Sequence, residues 1–257
     1  MYVCILTCKY ISSSSSSSSF NVCFPCWYGL DSLTSANTNI HGKVVIVTGT
    51  SSGIGCAIAE AFVKAGANVA MAAHREDKLQ ELCKKFSENA QGQVIAIKTD
   101  VTDKQQVKEL VRRTECSLGP VGILVNCAGI GYYTLMKNLK EDEWDRTIDT
   151  NCKGVTNCIG VVLDGMIKKK SGHIVNISSD AGKKNGFPGL AVYSGSKFFV
   201  EGLSQALRLE AKDLYDVSSK IKILEPDDVA QACIYATSQP EYVAINEILI
   251  QPREAPM

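Results

Sequence analysis

The chain has 257 residues, of which 45% are hydrophobic, enough to bury the core of one large α/β domain. Lysine plus arginine balances aspartate plus glutamate at 27 each, which excludes the net positive field that draws a chain to nucleic acid or to an anionic membrane surface. Cysteines are numerous, but Cys56, Cys83, Cys116, Cys127, Cys152, Cys158 and Cys233 are scattered through apolar and helical patterns and read as reduced intracellular thiols.

Residues 1–40 differ in texture from everything after them. "MYVCILTC" is apolar, lacks a basic start and is too short to span a bilayer. The serine run in "ISSSSSSSSF" buries too little apolar surface to offset its ordering entropy, so this segment is expected to be a disordered, low-complexity leader. Cys23 and Cys26 have metal-ligand spacing, with Cys4 and Cys8 upstream, but no histidine accompanies them and no metal is assigned. A cytoplasmic protein without a membrane or nucleic-acid partner is the expectation.

From His41 the pattern alternates. "KVVIVTG" is a short β-branched apolar run ending in glycine, as a buried parallel strand does. "CAIAEAFVKAG" carries apolar residues at helical spacing and stops at Gly66. "NVAMAA", "QVIAIKTD", "VGILVNCAG" and "HIVNISS" continue as strands. "REDKLQELCKKFSEN", "DKQQVKELVRRTECSLG", "EWDRTIDTNCKGVTNCIGVVLDGMI" and "FFVEGLSQALRLEAKDLY" read as helices. Strands joined by helical crossovers predict an α/β fold over residues 41–257, a doubly wound parallel sheet of Rossmann type. Such sheets bind ligands at the carboxyl ends of their strands, beside the point where strand order reverses.

"TGTSSGIG" lies between the first strand and first helix of this pattern. Gly49, Gly53 and Gly55 let the backbone turn tightly and approach a pyrophosphate, and the following helix start offers unpaired N–H groups to its charge. A chain that binds NAD usually places a carboxylate about twenty residues beyond these glycines to take the ribose 2′-hydroxyl. Here Ala73 stands in that region, followed by His74 and Arg75, so a 2′-phosphate meets a guanidinium and NADP is favoured over NAD.

"TGTSSGIG", "NCAG" at Asn126–Gly129, Asn151 in "TNCKG", "IVNISS" and "YSGSK", in that order, resemble the classical short-chain dehydrogenase/reductase family over about Lys43 to Glu210. The resemblance implies a single NAD(P)-binding domain that moves hydride between a nicotinamide and a small alcohol or carbonyl compound. It implies cofactor contacts at Ser51, Ser52, Ile54, Asp100, Val101, Ala128 and Gly129, with Asn126 chiefly steadying the sheet. Ser179 resembles the serine that hydrogen-bonds the substrate oxygen. Its neighbour Ser178 points to the opposite face of the strand. Asn151 resembles the residue that holds a water for proton relay. A homodimer or homotetramer through the long helices is likewise implied.

Tyr193 and Lys197 are four residues apart, so they share one face of a helix. A phenol of pKa about 10 donates a proton to a carbonyl oxygen more readily when positive charge lies nearby. The resemblance implies that Tyr193 is the general acid/base and that Lys197 also holds the nicotinamide ribose.

The resemblance breaks after the last long helix. The family continues there into a sixth strand ending in Pro-Gly and a substrate-covering segment, whereas this chain runs "DVSSKIKILEPDDVAQACIYATSQP" towards "NEILI", a domain shortened near 216–222. "KIKIL" is a candidate for the vacant strand, with Pro226 near the lost Pro-Gly. Lys222 is awkward in a buried strand, and Asp227 stands where glycine is expected. Two functions are therefore expected in competition: an active NADP-dependent oxidoreductase, and a variant that binds the nucleotide without efficient turnover.

Overall fold

The computed structural model describes residues 2–8, 40–183 and 188–213. Val44–Thr48 (β2), Asn68–Ala73 (β3), Val94–Lys98 (β4), Ile123–Asn126 (β5) and His173–Ser179 (β6) are the strands expected from the apolar runs. β2 and β5 are buried along their whole length, because helices cover both faces of the sheet and leave no solvent side to alternate towards. With Tyr2–Cys8 (β1) they form one six-stranded sheet in the order β1-β6-β5-β2-β3-β4. Every neighbouring pair is parallel.

The chain winds from β2 outwards through β3 to β4, then returns to β5 on the other side of β2. The strand order thus reverses between β2 and β5, and their carboxyl ends open the crevice where a nucleotide belongs in such a sheet.

Within the residues expected to form a leader, Tyr2–Cys8 is a strand. β1 pairs with β6 in continuous register from Tyr2 opposite His173 to Cys8 opposite Ser179. Without β1, β6 would present an unpaired row of N–H and C=O groups, and "YVCILTC" is composed of residues suited to satisfy it. Among the described residues, the edge of β6 away from β5 is thus paired by the chain's first residues. Lys220–Leu224, Pro226, Asp227, the shortened stretch near 216–222 and "NEILI" lie outside the described residues, as do Cys23, Cys26 and the serine run.

The helices are Gly53–Lys64 (α1), Glu76–Ser87 (α2), Lys104–Leu118 (α3), Glu141–Ile148 (α4), Gly154–Lys168 (α5) and Ala191–Asp213 (α6). α3 shows why they form. Asp103 caps its first turn by accepting from the N–H groups of Gln105 and Gln106 at 2.8 and 3.3 Å, and Val107, Leu110, Val111 and Thr114 make the buried stripe. One core joins Val45, Val47, Val69, Met71, Leu79, Phe86 and Val125, each large side chain contributing about 1.5–3 kcal/mol by leaving water. Among the described residues no helix is long and apolar enough to cross a membrane.

The chain divides into two compact units, Met1–Leu209 and Glu210–Met257, and every site residue below belongs to the first. Between α4 and α5 the sequence predicts one continuous helix, but Asp149–Lys153 is a π-helical turn. Such a turn inserts a residue into the helical repeat and redirects the side chains it carries, and it is often found at functional sites. Asn151 is the residue it redirects.

Deleting residues 2–8, or introducing Ile5→Pro into the β1 ladder, is expected to lower the melting temperature by roughly 5 °C or more. Differential scanning fluorimetry against the full chain checks this, and an unchanged midpoint would show that β1 adds nothing to folded stability.

Candidate active site

The turn after β2 is built by exclusion of side chains. Gly49 has φ +74°, and a Cβ there would lie 2.8 Å from the Ala128 backbone at the end of β5. Gly55 is closer still, since its Cβ would sit 2.4 Å from the Gly49 carbonyl oxygen. Thr48 ties the two strand ends together: its Oγ1 accepts from the N–H groups of Cys127 and Ala128, each at 3.1 Å. α1 then starts with no side-chain cap on its first N–H groups and no acidic residue in its first turn. That start, with Gly53 and Ile54 leading it, is left open to an anion.

The serines of this turn have another partner. Arg75, at the start of α2, donates to Ser51 Oγ from Nε at 3.1 Å and from Nη2 at 2.8 Å, and to Ser52 Oγ from Nη2 at 2.7 Å. A guanidinium and two hydroxyls therefore converge at the carboxyl end of β3, while His74 is exposed beside them. The cradle and this cluster fit a nucleotide with a phosphate on its ribose.

Asp100 and Val101 follow β4 on the same side of the sheet. The Asp100 carboxylate accepts from the backbone N–H and the Oγ1 of Thr102 at 2.9 and 2.8 Å, which fixes the turn. Val101 is buried against Gly154, where a Cβ would lie 2.6 Å from its Cγ2. Asn126 joins β5 to β6, its Nδ2 donating to Asn176 Oδ1 at 2.8 Å. Asn176 in turn donates to Ser204 Oγ on α6 at 2.8 Å.

Tyr193 and Lys197 lie on the first turns of α6. Lys197 is only 7% exposed, and its Nζ donates to the Ile177 carbonyl of β6 at 2.9 Å while standing 5.6 Å from the centre of the Tyr193 ring. Gly182 permits this approach, because a Cβ there would lie 2.7 Å from the Lys197 backbone. Gly131 does the same for the phenol, with a Cβ position 2.8 Å from Tyr193 Cδ2.

Asn151 is 1% exposed. Its Oδ1 accepts from the Ile130 N–H at 2.9 Å, and its Nδ2 donates to the Ile130 carbonyl at 2.8 Å and to Ser196 Oγ at 3.0 Å. The amide thus joins the loop after Gly129 to the tyrosine-bearing helix. Ser179 ends β6, two residues beyond the carbonyl that holds Lys197, and its Oγ accepts from the Ala181 N–H at 3.3 Å. Ser178, on the opposite face, is buried, and its Oγ has no hydrogen-bond partner among the described residues.

The structure thus brings Asn151, Gly129, Tyr193 and Lys197 together at one end of the sheet, with Ser179 on the strand beside them. Thr48, Asn176, Ser196 and Ser204 were missed by sequence reasoning. An asparagine within an apolar strand was the available signal for Asn176; the hydroxyls carried none. Burial pushes the Cys152 thiol up, against the lowering effect of Lys197, and pushes Cys158 up to about 12. Neither thiol is a poised nucleophile. Among the described residues no cluster of histidine, cysteine and carboxylate would hold a metal.

Comparison with known proteins agrees with this geometry. Residues 43–219 match the family model described as short chain dehydrogenase. The glycine betaine reductase ATRR of Emericella nidulans is 48% identical over 246 residues, covering 85% of this chain but 19% of the relative, so the chain spans about a fifth of that protein. An uncharacterized oxidoreductase of Staphylococcus saprophyticus is 36% identical over 235 residues, covering 83% of this chain and 98% of its own. A metagenomic short-chain oxidoreductase crystallised with NADP superimposes with a TM-score of 0.65 at 31% identity, covering 82% of this chain and 98% of that one.

Asn151→Ala removes the buried amide that the half-buried Ile130 amide and carbonyl bond to. It is expected to cost about 2–4 kcal/mol, read as a fall in the melting temperature of roughly 5–10 °C. Thermal unfolding of the purified variant tests this, and a shift under a degree would show that the bridge carries no load.

Proposed function

The chain is an oxidoreductase that belongs to the short-chain dehydrogenase/reductase family, and from that premise we propose that it uses NADP to interconvert a small alcohol and its carbonyl compound, with Tyr193 as general acid/base. The observation that carries this is the pairing of Tyr193 with a buried ammonium 5.6 Å from its ring. A bound nicotinamide supplies hydride exchange with the carbonyl carbon.

The chain's own residues do the rest. Gly49, Gly53 and Gly55 clear room for a pyrophosphate at the open start of α1, and Arg75 with Ser51 and Ser52 holds a 2′-phosphate by charge-assisted hydrogen bonds. Gly129 and Ala128 form the floor between β2 and β5, and Asp100 and Val101 border the adenine. Lys197 favours the phenolate by its charge and holds the nicotinamide ribose. Ser179 donates to the substrate oxygen, and Asn151 keeps the loop and helix in register. Similarity to a relative named as a reductase of glycine betaine, a small zwitterion, supports small polar molecules of that kind among the substrates. Apolar Phe198 and Phe199 of α6 are exposed, surface that a second copy would cover in a homodimer.

Purified protein is expected to oxidise NADPH with a panel of aldehydes, ketones and diketones, and Tyr193→Phe to lower kcat/KM about 100-fold or more while leaving NADPH affinity intact. Binding of NADPH without turnover by the unaltered chain would favour the nucleotide-binding variant instead. Arg75→Ala is expected to raise the Kd for NADPH about tenfold or more with little change for NADH, measured by fluorescence titration. An equal effect on both would remove the assignment of the 2′-phosphate site.

A further inference from the structure

Among the described residues, the end of β6 that carries the site has a strand partner on one side only. β5 runs beside β6 from His173 to Asn176 and stops there, and the chain then turns towards β2, where the N–H groups of Cys127 and Ala128 donate to Thr48 Oγ1. Past Asn176 the partner is β1, with Leu6 opposite Ile177, Thr7 opposite Ser178 and Cys8 opposite Ser179. These rungs bear on the chemistry: the Ile177 carbonyl accepts from Lys197 Nζ at 2.9 Å, and Ser179 is the residue assigned to the substrate oxygen. We infer that the amino-terminal strand is a working part of the active site, the backbone of Leu6–Cys8 positioning Ile177–Ser179 and, through them, Lys197 and the Ser179 hydroxyl. The inference rests on the oxidoreductase function proposed above and adds a positioning element to the same site.

Three observations carry it. First, the ladder divides at Asn176. His173–Asn176 lies between two strands, so losing β1 there leaves β5 in place, whereas the same loss at Ile177–Ser179 leaves no strand beside the backbone among the described residues. The polar side-chain tie to β5 sits at the same boundary, where Asn126 Nδ2 donates to Asn176 Oδ1 at 2.8 Å. Second, the side chains beyond that boundary do not replace the ladder. Ser178 Oγ has no hydrogen-bond partner among the described residues. Ile177 packs in the core, but apolar contact is non-directional and does not aim a carbonyl. Third, a displacement of this strand end reaches the site by two routes. The Ile177 carbonyl holds the Lys197 ammonium directly. Ser179 Oγ accepts from the Ala181 N–H at 3.3 Å at the head of the turn Asp180–Gly182, and Gly182 lies against the Lys197 backbone. Reacting groups misplaced by about 1 Å lose about 100-fold in rate, so a loosened rung is enough to matter.

The test compares the two ends of one strand in the full chain. Backbone N–H groups alternate in direction along a strand, so a pair of adjacent prolines removes a ladder donor whichever residue supplies it. Leu6→Pro with Thr7→Pro cuts the ladder beside the site, and Val3→Pro with Cys4→Pro cuts it where β5 holds β6 from the other side. Both pairs are expected to lower the melting temperature. Well below both transitions, with NADPH saturating and the carbonyl compound of the panel above that the unaltered chain reduces fastest, kcat per NADPH-binding site is expected to fall about tenfold or more in the first pair and less than about twofold in the second. The Kd for NADPH is expected to change little in either. Thr7→Val, which keeps the backbone N–H, is expected to retain kcat. Equal kcat in the two proline pairs, or a loss in Thr7→Val as large as in the first pair, overturns the inference. Hydrogen–deuterium exchange is read on the same proteins, with Ile177–Ser179 expected to lose protection in the first pair while His173–Asn176 keeps it. Exchange does not depend on turnover, so this pattern in a chain that binds NADPH and reduces nothing sustains the positioning role and removes the oxidoreductase proposal alone. Unaltered protection of Ile177–Ser179 in the first pair overturns the positioning role.

Discussion

A lysine ammonium held inside the protein is the constraint around which this site is arranged. Removing such a charge from water costs several kcal/mol unless hydrogen bonds replace the lost hydration. Lys197 obtains one from the Ile177 carbonyl at the end of β6, so the strand and the helix must meet at a fixed distance. That distance is possible only because Gly182 has no side chain to hold the turn after β6 away from α6. The same approach fixes Tyr193 one helical turn earlier, with Gly131 against its ring. An ammonium and a phenol are thereby placed close together before any ligand arrives, the kind of preorganisation on which the proposed proton transfer would draw.

The sheet transmits that constraint to the nucleotide side. Asn126, Asn176 and Ser204 form a buried polar chain from β5 through β6 to α6, and Thr48 joins the end of β2 to the turn after β5. The glycine turn and the tyrosine helix are therefore linked by hydrogen bonds across three adjacent strands. Asn151 closes the circuit from the other direction, pinning the loop after Gly129 to Ser196 through the π-helical turn. A polar network of this kind specifies one arrangement, because each unsatisfied member would cost about 1–3 kcal/mol.

The outer edge of β6 shows the same demand met by other means. A parallel strand with one bare edge is unstable and prone to pairing with another chain. Here the first residues supply the missing ladder, although composition placed them in a leader that ordering entropy would keep unfolded. The difference lies in what the two estimates include. Tyr2–Cys8 cannot order by itself, but the exposed edge of β6 offers it a row of hydrogen bonds that no local pattern reveals.

By itself the sequence determined the five strands from β2 to β6, the helices between them, the glycine turn and the Tyr193–Lys197 pair, since each rests on interactions among residues close along the chain. Periodicity marks buried faces, and a four-residue spacing places two side chains on one face whatever surrounds them. Tertiary structure alone decided that Arg75 binds Ser51 and Ser52, that Asn151 sits in a π turn against Ile130, and that Glu143 and Trp144 stand beside Tyr193. These contacts join residues that are distant in the chain, and their partners are set by how strands order and helices cross. Local propensity carries no information about that geometry, because it is fixed only when the buried polar groups and the packed core are satisfied together.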